Sequence, residues 1–254
     1  MMRATADVGN SRIKWGIPRA GEAGAGRNEI ALDPLDEASW SDVFERLGLA
    51  ESGSVWAISS VAPATTDRLI AFLERTGAQV ARVFRSGGDV PIEHEIEHVE
   101  TSGADRALGV LAASRREFAR GVPGFVISCG TAITVDRVSE RGAWLGGAIL
   151  PGLGTAFASL HDRTARLPEV RLSGLPPAWG RSTVPAIEAG VFWGCVGGIR
   201  EVIARQSLAL SDGDRPWQVW TGGDARLLGD AVAPATSYWI PGLVSAGIEA
   251  AMGW

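Results

Sequence analysis

Apolar and polar residues alternate in short segments punctuated by Gly and Pro, a rhythm that predicts many brief strands and helices rather than a few long elements. An alternating stretch from about Thr5 to Ile17, interrupted at Gly9-Asn10-Ser11, predicts a hairpin. The Gly- and Ala-rich sequence from Arg19 to Arg27 loses all periodicity and predicts a turn. Val55-Trp56-Ala57-Ile58-Ser59-Ser60-Val61 predicts a buried strand, and the spacing of Leu69, Ile70, Phe72 and Leu73 after Pro63 predicts an amphipathic helix. A second helix is predicted to start near Ser102, with Leu108, Leu111, Ala112 and Phe118 facing inward, Arg115, Arg116 and Glu117 largely opposite, and Asp105 in its first turn.

The second half repeats the scheme. Gly124 to Ile127 predicts another buried strand, followed by a hairpin and a strand over Trp144-Leu145-Gly146-Gly147-Ala148-Ile149. Ala186 to Ile203 predicts a long apolar helix, in which Gly190, Gly194, Gly197 and Gly198 would allow close packing against another helix. Gln218 to Thr221 reads as a strand closed by Gly222-Gly223, and Leu243 to Met252 as a short final helix. The repetition at mid-chain predicts an N-terminal domain over 1–118 and a C-terminal domain over 119–254.

Two stretches carry candidate chemistry at equivalent points of the repeat: Asp7-Val8-Gly9-Asn10-Ser11 and Ser128-Cys129-Gly130-Thr131-Ala132. In each, a strand-like run reaches a glycine and small polar residues, and a second alternating run departs through Ile13 and Trp15, or Ile133 and Val135. A glycine without Cβ lets backbone N–H groups approach an anion, and Asn, Ser or Thr adds side-chain donors, so both hairpins suit phosphate. Asp7 can in addition hold the hydrated magnesium that accompanies a nucleotide; the second copy has no acidic residue at that position.

Composition narrows the class. A chain of 254 residues with 46% hydrophobic content can bury two modest cores, which fits a two-lobed α/β protein. A formal charge of −5 without a Lys/Arg stripe argues against nucleic acid as a partner. Cys129 and Cys195 are too few for a disulfide framework or a four-cysteine zinc site, as in a reducing cytoplasm. The approach from Met1 to Asp7 leaves no room for a signal peptide's apolar region, and no run is long enough for a membrane span, so the expected location is cytoplasmic, with no membrane partner. The tryptophans Trp15, Trp56, Trp144, Trp193 and Trp220 fall mostly in strand or helix runs and are expected to fill cores or subunit contacts.

Several separated motifs together resemble the type III pantothenate kinases, members of the superfamily that shares its nucleotide-binding fold with actin and the sugar kinases. Asp7-Val8-Gly9-Asn10-Ser11-Arg12-Ile13-Lys14 is similar to the family's first phosphate motif, Gly103-Ala104-Asp105-Arg106 to its substrate motif, and Gly130-Thr131-Ala132 with Thr134 and Asp136 to its second phosphate motif. Gly146-Gly147-Ala148-Ile149, Pro151-Gly152-Leu153, Leu167-Pro168, Ser182-Thr183 and Thr221-Gly222-Gly223 follow in the same order. The resemblance implies two ribonuclease-H-like, actin-like domains, each a mixed sheet flanked by helices, with a cleft between them. It also implies ATP-dependent phosphorylation of pantothenate, the first step of coenzyme A biosynthesis, by a cytoplasmic homodimer.

The resemblance further assigns Asp105 as the catalytic base, and Gly103, Ala104, Asp105, Arg106 and Thr183 to pantothenate. It assigns Asp7, Val8, Gly9, Asn10, Ser11, Arg12, Ile13, Lys14 and Thr131 to ATP, with Mg2+ at Asp7. A monovalent cation, K+ or NH4+, is expected at the position occupied here by Ser128, where the family usually has an aspartate; a neutral hydroxyl does not supply that charge. The family also often has Tyr and Asn-Pro ahead of the substrate motif, where this chain reads Ile96-Glu97-His98-Val99.

Each assignment has a plainer counterpart. An Asp in a first helical turn commonly offsets the helix dipole, an Asp beside Gly commonly caps a turn, and Thr183 would serve as the helix N-cap before Ala186 and Ile187. Thr131 on its own would be an ordinary strand threonine, and Lys14 a solvent-facing charge. His94-Glu95-Ile96-Glu97-His98 satisfies the His-Glu-x-x-His pattern of zinc proteases, but Ile92, His94, Ile96 and His98 alternate with glutamates, the period of a strand rather than of the helix that this motif needs. Two other functions fit the same fold: a nucleotide-binding regulatory homologue with weakened catalysis, for which Ser128 speaks, and a kinase of another small alcohol.

Overall fold

A computed structural model describes residues 1–18, 27–49, 53–210, 215–232 and 237–254. It divides into two compact units, the first made of Met1–Arg115 and Gly242–Trp254, the second of Arg116–Pro241.

The first unit is built on a five-stranded sheet. Strand β1 (Met2–Val8) runs antiparallel to β2 (Ile13–Pro18), and β2 antiparallel to β3 (Arg27–Leu32). On its other side β1 pairs in parallel with β4 (Ser54–Ser60), which pairs in parallel with β5 (Gln79–Phe84), giving the order β3-β2-β1-β4-β5. β1 is thus internal to the sheet, and Ala4, Ala6 and Val8 are fully buried. Helices α1 (Glu37–Arg46), which buries Trp40, Val43 and Phe44, and α2 (Pro63–Arg75), which buries Leu69, Phe72 and Leu73, belong to this unit. Trp15, Phe44, Trp56 and Phe72 meet at ring-centroid distances of 5.0 to 6.4 Å, an aromatic packing that backs the phosphate hairpin.

Helix α3 (Ala104–Ser114) is buried along most of its surface, with Asp105 and Arg106 among its few partly exposed residues. It packs on α7 (Leu243–Met252) so closely that a Cβ at Gly247 would strike the Leu108 backbone. The last 13 residues therefore belong with the first unit, whereas the mid-chain repeat had grouped 242–254 with the second half.

The second unit repeats the same sheet. Strand β6 (Gly124–Cys129) is antiparallel to β7 (Ala132–Val138), which is antiparallel to β8 (Trp144–Pro151); β6 is parallel to β9 (Trp217–Thr221), and β9 to β10 (Ser237–Trp239). Read as β8-β7-β6-β9-β10, order and directions match the first sheet strand for strand. Helices α4 (Leu153–Asp162), α5 (Thr183–Ser207) and α6 (Ala225–Val232) complete this unit, whose core gathers Phe125, Ile127, Ile133, Val135, Phe192, Val196, Ile199 and Trp220.

Several local expectations need correction. Helix α3 ends at Ser114; Phe118 lies beyond it in a short 3-10 turn and stacks on Tyr238 at 3.9 Å. Residues 92–98 form no strand: His94 makes a single bridge, and Glu97-His98 a turn. Pro91 and three closely spaced carboxylates outweigh the alternation there. The segment is not helical either, so the two histidines lack the helical spacing of a zinc motif. Gly190, Gly194 and Gly197 are exposed and have no neighbouring atom within reach of a Cβ, so no helix among the described residues packs against them; of the four, Gly198 approaches Leu150. The predicted turn over Arg19–Arg27 lies outside the described residues, except that Arg27 opens β3.

Candidate active site

The two hairpins read from the sequence as phosphate sites have the same construction. In the first, Val8 pairs with Ile13 and the Gly9 N–H donates to the Arg12 carbonyl at 3.0 Å; in the second, Cys129 pairs with Ile133 and the Gly130 N–H donates to the Ala132 carbonyl at 3.0 Å. Both glycine amides are thus engaged in closing the turn. Donors for an anion must come from the tip residues, and Asn10, Ser11, Arg12 and Thr131 are all exposed. Val8 and Ile13 are fully buried, so any share they take in nucleotide binding is through their backbone.

Asp7 stands at the end of internal strand β1, opposite Lys14 on β2 and Ser59 on β4. It keeps partial exposure, yet burial is the largest influence on its carboxyl and raises its pKa to about 7. The negative charge of Asp105 is the next influence in the same direction, and that of Glu29 adds to it. Lys14 pulls the other way, as does, more weakly, the buried Ser59 hydroxyl, which approaches Asp7 without reaching good hydrogen-bond geometry. The interaction with Asp105 brings the N-terminal motif and the motif near residue 105, almost a hundred positions apart in sequence, into one electrostatic cluster.

Asp105 owes its place to the start of α3. Gly103 is the N-cap with extended backbone (φ −63°, ψ 131°), and the Arg106 N–H donates to Asp105 Oδ1 at 2.9 Å. A Cβ at Gly103 would collide with that same oxygen, which gives the glycine a steric reason. Ala104 is fully buried and anchors the turn, leaving Asp105 and Arg106 partly exposed beside each other.

In the second unit Ser128 lies near the end of β6, between Thr134 on β7 and Thr221 on β9. Asp136 is buried and accepts a hydrogen bond from Trp144 Nε1 at 2.9 Å, so it supports the sheet from within. Asp224 was not among the residues singled out in the sequence: its N–H donates to the Cys129 carbonyl at 3.2 Å, and burial raises its carboxyl above the ordinary value. Its signal was the Gly222-Gly223 turn just before it, where Gly222 adopts φ +98° against the Cys129 backbone. Thr183 is exposed at the first position of α5; the N-cap is Ser182, one residue earlier than expected for Thr183, and its side chain makes no capping bond.

Among the described residues no three His, Cys, Asp or Glu side chains converge on a metal position. An all-protein cage is not what magnesium demands: a hard, strongly hydrated cation is commonly held by one or two carboxylates together with substrate phosphates and water. The half-buried Asp7 carboxyl in an acidic cluster fits that need, because a divalent charge would offset the burial and the repulsion that disfavour its ionised form.

Residues 5–205 match the family model of the type III pantothenate kinases. A type III pantothenate kinase from Acidiphilium cryptum is 33% identical over 238 residues, covering 91% of this chain and 87% of that protein. Another from Moorella thermoacetica is 32% identical over 233 residues and covers 89% of each. In fold, the chain is similar to a Sinorhizobium meliloti structure described as a candidate 2-dehydro-3-deoxygalactonokinase, with a TM-score of 0.57 at 14% identity over 98% of this chain and 95% of that one.

The Asp7 environment predicts a pH dependence of stability in the metal-free protein. Below 3.8 the carboxyl is protonated whether folded or not; between 3.8 and about 7 the unfolded chain loses the proton first, so folded stability falls as pH rises and the full penalty stands above about 7. The shift corresponds to a penalty on the order of 2–4 kcal/mol. Asp7→Asn is expected to flatten this fall and to be more stable than wild type at pH 8 by denaturant unfolding. A variant that loses stability as steeply as wild type would contradict the assignment.

Proposed function

This chain belongs to the type III pantothenate kinase family and is an ATP-dependent kinase of pantothenate in coenzyme A biosynthesis, and we propose that Asp105 is the base of its phosphoryl transfer. What supports the proposal is that Asp105 stands partly exposed in the first turn of α3 and that its charge bears on the Asp7 carboxyl, the candidate metal ligand. The primary hydroxyl of pantothenate attacks the γ-phosphorus of ATP, and Asp105 accepts its proton as the new P–O bond forms and the bond to ADP breaks. Arg106, next to it in the first turn of α3, offers a bidentate guanidinium to the pantothenate carboxylate, and Thr183 a further hydroxyl. Asn10, Ser11, Arg12, Lys14 and Thr131 serve the ATP phosphates. Magnesium at Asp7 would neutralise phosphate charge during transfer.

Two finer readings rest on charge and surface. Ser128 offers oxygen without charge where a monovalent cation would be expected, so we propose turnover independent of potassium. An exposed row of small residues along α5, namely Thr183, Ala186, Gly190, Gly194 and Gly197, together with exposed Ile149, Trp179 and Val184, supports a homodimer. A cytoplasmic location is supported by two free, buried cysteines, and no described helix is long and apolar enough to cross a membrane.

Asp105→Asn is expected to lower turnover by at least about a hundredfold, as for loss of a general base, while ATP binding measured by calorimetry stays within about threefold. Turnover near wild type would remove Asp105 from this role. Rates in potassium, sodium and monovalent-free buffer are expected to agree within about twofold; strong activation by potassium would show that other oxygens supply the site. Size-exclusion chromatography with light scattering is expected to give twice the 26.7 kDa chain mass, and a strict monomer would overturn the dimer.

A further inference from the structure

The Thr131 carbonyl, at the tip of the second phosphate hairpin, is gripped from outside the hairpin by two donors from the segment that opens α4. The Gly152 N–H reaches it at 3.0 Å and the Thr155 hydroxyl at 2.6 Å. On the preceding residues the Gly130 N–H closes the turn onto Ala132, and the Asp224 N–H holds the Cys129 carbonyl. Every backbone group named here is fixed, and Thr155 is the only side chain among these donors.

The contact is too tight to be incidental. A Cβ at Gly152 would strike the carbonyls of Gly130 and Thr131, so α4 can lie against the hairpin only with glycine at that position. Thr155, on the first turn of α4 and itself exposed, then reaches back to the same carbonyl. A peptide plane held through its oxygen is also fixed at its N–H end, which belongs to Ala132, and the Thr131 side chain on the near side loses freedom with it. The hairpin without an acidic residue thus relies on its backbone and Thr131 being preset, since no carboxylate-bound cation would order it on its own account.

We propose that Thr155 is a positioning residue for the nucleotide's terminal phosphates: by holding the Thr131 carbonyl, its hydroxyl presets the second phosphate hairpin. The inference rests on the reading of that hairpin as a phosphate site. It predicts that a neutral hydrogen bond lost at Thr155 weakens only ligands whose phosphates reach the hairpin.

The test compares Thr155→Val, which keeps the shape and removes the hydroxyl, with Thr155→Ser, which keeps the hydroxyl. Titration calorimetry with ATP, ADP and AMP should show Thr155→Val binding ATP about fivefold more weakly with AMP unchanged, and Thr155→Ser returning to within about twofold of wild type. Hydrogen exchange without nucleotide should show faster exchange at the Thr131 and Ala132 amides in Thr155→Val alone. Equal affinities and exchange in Thr155→Val and wild type would overturn the proposal, and so would an equal loss for all three nucleotides or a failure of Thr155→Ser to restore binding. Wild-type protein that binds ATP but leaves pantothenate unphosphorylated would defeat the functional reading alone, because the binding series and the exchange data decide the role of Thr155 without turnover.

Discussion

The first unit carries an electrostatic cost at Asp7: burial disfavours its charge most, and the negative charges of Asp105 and then Glu29 add to that cost. Burial, and next the charge of Asp105, raise the Asp7 carboxyl to about 7, so its charged form is disfavoured relative to an ordinary aspartate. The arrangement persists because neither residue can move away. Asp7 is on a strand bonded on both sides, at the end of a row of fully buried alanine and valine side chains, and Asp105 is fastened by the first turn of a helix whose remaining surface is mostly buried. On the proposed kinase reading, this local loss of stability presets the partners of a divalent cation and a substrate hydroxyl.

The same sheet topology carries a second hairpin with an uncharged residue where the first has Asp7. Ser128 occupies the strand position one residue before Cys129 and offers no charge; Asp136 accepts from the Trp144 indole, while Asp224, whose backbone is tied to Cys129, has a carboxyl raised by burial. Where the first hairpin depends on a carboxylate and its counter-charge Lys14, the second depends on geometry, with carbonyls held by Gly152, Thr155 and Asp224. The two hairpins share one backbone construction and differ in charge at the strand residue that leads into the turn, Asp7 in the first and Ser128 in the second.

Much of this was legible in the sequence because it follows from local rules. Strand runs such as Val55–Val61 and Gly124–Ile127, the helix after Pro63 and the final helix over Leu243–Met252 appear close to their expected bounds. Helix α1 was missed although Trp40, Val43 and Phe44 have helical spacing and the Asp36 side chain caps the Ser39 N–H; its polar surface masked a short apolar stripe. Strand β3, with Arg27-Asn28-Glu29 at its start, carries little apolar signal because it lies at the sheet edge. Non-local facts were out of reach: the return of residues 242–254 to the first unit depends on Gly247 meeting Leu108, a contact no periodicity encodes. For the site, the motif residues were visible one by one, whereas the coupling of Asp7 to Asp105 and the hold of Thr155 on Thr131 exist only once the chain is folded.

The central claim is that the carboxylate pair of the first unit serves phosphoryl transfer to pantothenate. The most direct test incubates the purified protein with magnesium, ATP labelled at the γ-phosphate and a panel of small alcohols including pantothenate, with products identified by mass spectrometry. The account predicts label on the primary hydroxyl of pantothenate in an amount equal to the ADP formed, with little transfer to the other alcohols. ATP bound without transfer to pantothenate, or faster transfer to a different alcohol, would contradict it.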